Sequence, residues 1–432
     1  MSPEIQILVV FAVFLGLLTI GMSIPFAISV PAMLYLLLQG GIPALKSMGL
    51  VSWGSLNSFV LTAIPLFILM AEIMQRSGLT LRVYRGLAKL VAPIPGGLLQ
   101  TNIAGCAVFA AVSGSSVATA ASIGSVSLPQ LLARKYDRPL AAGSLAAGGT
   151  LGILIPPSLA MIVYASFTET SVAKLFIAGV VPGILLTLMF MAYIAFVAWR
   201  RPEVAPKEPG PQSLAEFGEA VVDILPFFVL VGGTIGTIYL GIMTPTEAAA
   251  FGCLLGLVLS AMFGEISVPM LRDALVRTVE ICGNIIFIIY AAYVFSYAIS
   301  YGGIGEKVVK FVIGLHLTKT QFFIALFLLY TLLGCLIESL GMIVITVPLL
   351  HPVVQSYGID PILFGIILVI YIELGQISPP IGINLFVIQS IWDGKLSEVV
   401  LGTIPFHIIM FVLLAMVMIW PDIAMWLPTH MN

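Results

Sequence analysis

Charge is the scarcest feature of this chain: of 432 residues only 9% are Asp, Glu, Lys or Arg, and 18 basic against 20 acidic side chains leave a formal charge of −2. Soluble domains carry roughly 25% charged residues, so a water-soluble globule is excluded. There is no basic tract and no aromatic-basic patch, which excludes nucleic acid as a partner. Cysteine is almost as sparse. Cys106, Cys253, Cys282 and Cys335 stand singly in apolar stretches without a CxxC pair, and the four histidines form no HxxxH pattern, so neither a disulfide framework nor a zinc site is supported. No basic residue precedes Lys46, so the positive region of a cleaved signal peptide is missing and the first apolar helix is expected to be retained. What the chain has in excess is apolar side chains, 60% of the total, and that composition defines an integral membrane protein.

About 20 apolar residues at 1.5 Å rise span the hydrocarbon layer. Runs of that kind near 5–21, 23–39, 58–75, 141–165, 176–199, 221–241, 246–263, 281–300, 362–388 and 399–420 predict ten crossings and an all-α fold. Two further apolar stretches, 97–132 and 321–350, are too long for one span and are crowded with Gly, Ser and Pro. Basic residues accumulate on the cytoplasmic side. Arg76, Arg82, Arg85 and Lys89 precede the first of these stretches and Arg134, Lys135 and Arg138 follow it, so both its ends belong on that side. It is predicted to be a re-entrant hairpin whose tip, Ser113–Ser116, is enclosed by protein or faces water.

The polar, Pro-rich segment 200–219 reads as a cytoplasmic linker between halves 1–199 and 220–432. At a shift of 223 positions across it, Leu151-Gly-Ile-Leu-Ile-Pro156-Pro157 aligns with Leu374-Gly-Gln-Ile-Ser-Pro379-Pro380. The same shift pairs Ser116 with Ser339, Pro129 with Pro352, Asp137 with Asp360, Gly179 with Gly402 and Pro182 with Pro405, which marks a duplication. Each repeat is expected to hold five crossings and one re-entrant hairpin, and an odd number of crossings inverts the second copy. Only Lys307, Lys310 and Lys319 flank the second hairpin, so it is expected to open from the outer face, with both termini outside.

Inverted repeats with interrupted helices point to a secondary transporter whose site lies near the midplane. Consecutive prolines remove two backbone donors and push the residue before them out of helix. Carbonyls before Pro156-Pro157 and Pro379-Pro380 are thereby freed as hard oxygen ligands for a small hard cation, and the half-helix that follows offers its positive end to an anion. The candidate sodium and substrate residues are the tip Ser113, Gly114, Ser115, Ser116 and its counterpart Glu338, Ser339, Gly341, together with the broken-helix residues. In the first repeat these are Thr150, Gly152, Pro156 and Pro157; in the second they are Glu373, Gly375, Ser378, Pro379 and Pro380. Glu373, opposite Thr150 in the alignment, reads either as a ligand or as a support for one. Asn384 bonds either a substrate or a neighbouring helix. Glu247 reads as part of a capping box with Thr244, and Glu72 as the partner of Arg76 at i,i+4. No Lys or Arg falls deep in an expected span, so a bound carboxylate would be neutralised by half-helix dipoles and a co-bound cation.

Ile64-Pro-Leu-Phe-Ile-Leu-Met-Ala71, the tip Ser113-Gly-Ser-Ser116, the paired Leu-Gly-x-x-x-Pro-Pro motifs and Gly241-Ile-Met-Thr-Pro-Thr-Glu-Ala-Ala-Ala250 together resemble the large membrane subunit of the tripartite ATP-independent periplasmic (TRAP) transporters, over nearly the whole chain. The resemblance implies a sodium-driven importer in the bacterial inner membrane, moving a C4-dicarboxylate, a sialic acid or another carboxylate by an elevator mechanism. It implies no cofactor beyond sodium as the coupling ion. Its partners would be a periplasmic substrate-binding protein and a small membrane subunit of four helices, expected here as a separate chain because Met1 leads almost at once into the first helix. By the same likeness, sodium would sit where the Ser113–Ser116 tip meets the break before Pro156, and where the Glu338–Gly341 tip meets the break before Pro379. The alternative is a stand-alone sodium- or proton-coupled carboxylate carrier or antiporter working through Glu338 or Glu373. No enzyme is expected, since the spans hold no paired acids, metal cluster or Ser-His constellation.

Overall fold

A computed structural model describes residues 9, 12–14, 16, 17 and 19–431, so the expected crossing at 5–21 lies largely outside the described residues. From Ile24 onward every described regular element is a helix. The first half contains α1 (Ile24–Lys46), α2 (Met48–Leu56), α3 (Ala63–Arg76), α4 (Leu79–Val91), α5 (Leu98–Ser113), α6 (Ser116–Ala133), α7 (Arg138–Leu154), α8 (Leu159–Thr168) and α9 (Val172–Arg200). The second contains α10 (Leu214–Tyr239), α11 (Pro245–Phe263), α12 (Val268–Tyr301), α13 (Ile304–Gly314), α14 (Lys319–Gly334), α15 (Ser339–Ser356), α16 (Pro361–Ile377), α17 (Ile383–Ile391), α18 (Leu396–Ile419) and α19 (Asp422–Thr429). Among the described residues, nine helices are long and apolar enough to cross a membrane, or ten if the pair bent by 67° between Arg76 and Leu79 counts as one.

Helix starts follow from short polar residues that accept the first free backbone N–H groups, each worth about 1 kcal/mol. Asp137 accepts from Leu140 N at 2.9 Å, and Asp360 from Ile362 N and Leu363 N at 2.8 and 3.1 Å. The Asp pair that the repeat brought together is thus a pair of equivalent caps. Thr244 and Glu247 form the expected capping box, with Thr244 N donating to Glu247 Oε2 at 2.8 Å. Helix limits keep the 223-residue shift closely: Ser116–Ala133 answers Ser339–Ser356, and Arg138–Leu154 answers Pro361–Ile377.

Two boundaries differ from expectation for one reason, that charge near a helix end dilutes the apolar signal. The helix expected from 281 begins at Val268, capped by Ser267, and its first turns carry Arg272, Asp273, Arg277 and Glu280. Likewise α10 begins at Leu214 behind the Ser213 cap, inside the expected linker 200–219, because Glu216 and Glu219 made that stretch read as polar. The remaining linker is strapped to the base of the α5–α6 pair. Asp137 N donates to Val204 O at 2.9 Å, Tyr136 OH accepts from Leu98 N and donates to Glu208, each at 3.1 Å, and Arg134 is ion-paired with Glu208.

The helices pack as two groups that both mix the sequence halves. In one, α1 and α3 pack on α12, α3 packs on α11, and α4 lies along α10 through Arg82–Asp223 at 2.6 Å. In the other, α7 is enclosed by α5, α6 and α18, and α17 lies against α6 and α7. Every α7 residue from Leu140 to Leu154 is buried, which its all-round apolar and small side chains permit.

Candidate functional site

The α5–α6 tip turns at Gly114, whose left-handed backbone (φ 61°) suits glycine. Ser115 then caps α6, accepting from Ala118 N at 3.4 Å. Thr119 donates to Ser115 O at 2.7 Å and accepts from Ser113 Oγ at 2.8 Å, tying the tip into one hydroxyl and carbonyl cluster. This tip sits directly on the first broken helix. Leu159 N donates to Gly114 O at 3.4 Å, a Cβ placed on Gly114 would stand 2.8 Å from Pro157 O, and one on Gly152 would overlap Ser115 O. Pro156 and Pro157 have no N–H, so the Gly152 and Ile153 carbonyls lack their helical donors. The buried Ser116 hydroxyl has no partner. Thr150, also buried, donates to Ala147 O at 2.7 Å and keeps its lone pairs. Ser113, Gly114, Ser115, Ser116, Gly152, Pro156 and Pro157 are therefore brought together at this junction.

The second junction is built differently. Gly375 packs on α14, where a Cβ would lie 2.7 Å from Tyr330 O and 3.0 Å from Gly334 Cα. Cys335, not Glu338, meets the break, its Sγ 3.7 Å from Ser378 O and 3.5 Å from Pro379 O. Ser378 donates to Leu374 O at 2.7 Å and lies 3.3 Å from His407 Nε2, while Pro379 and Pro380 are exposed. Gly341 packs on Ile337 and Ile24. Asn384 resolves toward a neighbouring helix, its Nδ2 donating to Ala146 O of α7 at 3.4 Å with Oδ1 unpartnered. Glu373 is wholly buried, and among the described residues neither of its carboxylate oxygens has a hydrogen-bond partner; the Gln376 amide one turn on is equally orphaned.

Glu338 and Ser339 instead line a cavity of about 530 Å³ between the two helix groups. One wall is formed by Ser113, Gly114 and Ser115 with the start of α6 and by Glu338, Ser339 and Leu340; the facing wall by Glu72 and Gln75 of α3 and Arg277, Glu280 and Asn284 of α12. Glu72 pairs with Arg76 at 2.9 Å, as its spacing indicated. Arg277 pairs with Glu280 at 3.0 Å. Arg277 stands ahead of the expected span 281–300, so it is not deep in that span, but α12 extends further than its apolar window and carries a guanidinium to the cavity. Thr119, Gln75, Arg277, Glu280 and Asn284 are the lining or tip residues the sequence reading did not single out. The available signal was a helical i, i+3, i+7 stripe, Arg277, Glu280 and Asn284, just ahead of an apolar run.

Broken helices that meet helical hairpin tips, beside a cavity between two helix groups, define a multi-pass membrane transporter. The family profile described as "Tripartite ATP-independent periplasmic transporter, DctM component" matches residues 11–423, and the chain belongs to that family, one of transporter permeases rather than enzymes. It is 33% identical to the C4-dicarboxylate TRAP transporter large permease protein DctM of Pseudomonas aeruginosa, over 90% of this chain and 91% of that one. It is 31% identical to the isethionate TRAP transporter permease protein DctMQ of Oleidesulfovibrio alaskensis, over 96% of this chain but 65% of that longer protein. Among solved structures, the YdaH transporter of Alcanivorax borkumensis shares the fold, with a TM-score of 0.65 over 91% of this chain and 90% of that one at 13% identity.

Proposed function

We propose that this chain is the large permease subunit of a sodium-coupled, binding-protein-dependent importer of an organic acid in the bacterial inner membrane. The observation that carries the reading is that both hairpin tips open onto one cavity, with helices α3 and α12 of the other helix group lining its far side. The group bearing α5–α9 and α14–α19 moves as a transport body against a scaffold of α1–α3 and α10–α12, an elevator motion of two inverted repeats. The matched helix limits at a 223-residue shift support the repeats, and tips on one wall facing scaffold side chains on the other support the motion.

Sodium, here a co-substrate, fits the first junction: the orphaned Ser116 hydroxyl, the Ser113 and Ser115 hydroxyls and the freed Gly152 and Ile153 carbonyls are all hard oxygens. Glu338 adds a carboxylate at the second tip. The lining carries three carboxylates; Arg76 pairs with Glu72 and Arg277 with Glu280, which leaves Glu338 uncompensated, so an organic anion enters favourably only with a cation beside it. That electrostatic requirement is the coupling. Cavities of roughly 300–1,000 Å³ suit small-molecule ligands, and the relatives' names place isethionate and C4-dicarboxylates first among acids to try. A small four-helix membrane subunit braces the scaffold, and a periplasmic binding protein delivers the acid.

Uptake of labelled acids into proteoliposomes holding the chain and its small subunit tests this. Accumulation should require an inward sodium gradient and the binding protein, and should fall at limiting sodium in Ser115→Ala and Glu338→Ala. Uptake that ignores the binding protein and follows a proton gradient would hand the case to a stand-alone carrier.

A further inference from the structure

In the coupling scheme above the α12 stripe facing the hairpin tips enters only through its net charge, with no contact to the substrate assigned to it. Arg277 is the one guanidinium or ammonium among the residues lining the cavity. Its described hydrogen bond is a single one, Nη1 to Glu280 Oε2 at 3.0 Å, and the two side chains remain about half exposed, at 54% and 57%. A guanidinium carries five N–H donors in a planar fork that matches a carboxylate two bonds at a time. Glu280, one turn along the same helix, engages it through one nitrogen, and such exposed i,i+3 pairs are worth only about 0.2–0.5 kcal/mol. The cation is therefore held in place yet weakly committed. It stands on the wall opposite the tips, on the helix group that does not carry them, so its distance from a tip-bound anion changes whenever the two groups move.

We propose that Arg277 contacts the acidic group of the transported organic acid, and that Glu280 is its built-in competitor, reclaiming the guanidinium so that the anion leaves. This rests on the import reading above and adds to it a substrate contact on the scaffold. Arg277 holds the carboxylate while the tips face α12, and Glu280 keeps that hold from becoming a trap. An anion with no cation to meet on this wall would face Glu280 and Glu72 across the cavity, so the pair also sets which charge the passage accepts.

The test is equilibrium binding of labelled succinate, the C4-dicarboxylate probe, to the purified full chain with its small subunit in sodium. Arg277→Gln is expected to weaken binding about tenfold, the scale of one charge-assisted contact, and Arg277→Lys to weaken it less. Glu280→Gln, which leaves Arg277 uncommitted, is expected to tighten binding and slow dissociation, and the double variant should bind as Arg277→Gln does. Opposite signs at adjacent positions are not produced by general destabilisation. Wild-type affinity in both single variants, or a parallel loss in both, overturns the assignment. If the folded wild type binds none of succinate, isethionate and a sialic acid, the import reading fails and takes this inference with it; if it binds one of them and the variants do not matter, the inference alone fails.

Discussion

Glu373 is the residue whose environment is hardest to sustain. An ionised carboxylate without a partner is costly in an apolar interior, and Glu373 has neither a hydrogen bond nor exposure. In working protein it is neutral or joined by a cation. The proposed coupling requires sodium to raise the unfolding temperature of the wild type, and Glu373→Gln is expected to shrink that rise; an undiminished shift would show that the acid is simply buried and neutral. Gly152 supports a sharper steric prediction. A Cβ there overlaps the Ser115 carbonyl, and overpacking a close contact costs about 1–3 kcal/mol, so Gly152→Ala should lower the unfolding temperature and abolish uptake. Gly232→Ala, in open surroundings within α10, serves as the control and should be neutral or slightly stabilising. At this scale the sequence was legible where chemistry is local. Doubled prolines, a Ser-Gly-Ser-Ser turn and the Glu72–Arg76 spacing announce themselves. Arg277 did not, because a reading that counts charge against membrane depth discards the side chains that a water-filled cavity accommodates.

At the scale of elements, the capping box expected at Thr244 and Glu247 starts α11, and the helix pairs α5–α6 and α14–α15 fall close to the apolar stretches 97–132 and 321–350. What the repeat concealed was its own asymmetry. Aligned motifs lead to aligned expectations, yet the first tip lies on its break while the second break is met by Cys335 and leaves Pro379 and Pro380 exposed. That difference comes from long-range packing of Gly375 on Gly334, which no local pattern encodes. The linker strap was equally invisible, since Pro-rich composition indicates an extended chain but not what it lies on. Burial, with the Glu208 charge beside it, pushes the Tyr136 phenol up to about 12, against a partial opposing pull from the Leu98 N–H. A raised folded value means that the phenol's contribution is complete below its ordinary value of 10 and is lost as pH rises through about 12. Ultraviolet difference titration of wild type against Tyr136→Phe should show one tyrosine ionising near 12, and the strap should be indifferent to pH throughout the neutral range.

For the molecule as a whole, the decisive feature is that neither half of the sequence owns a core. Helix α7 closes against α18, α6 against α17 and α8 against α15, while α3 closes against α11 and α4 against α10. Chains ending or beginning in the coil near Gly210 should each be degraded or aggregate when made alone, and should recover whatever uptake the intact chain supports when made together. Recovery by either half alone would contradict this packing. The same interleaving governs how the protein is born. When a ribosome has inserted everything through Arg200, the helix destined to be most thoroughly enclosed, α7, has α5 and α6 beside it but one face still open to lipid, and the partner that covers that face, α18, is nearly two hundred codons away. Until then the nascent chain is a half-built object with its most adhesive face outward, dependent on the insertion machinery to shelter it and conspicuous to membrane proteases that look for such faces.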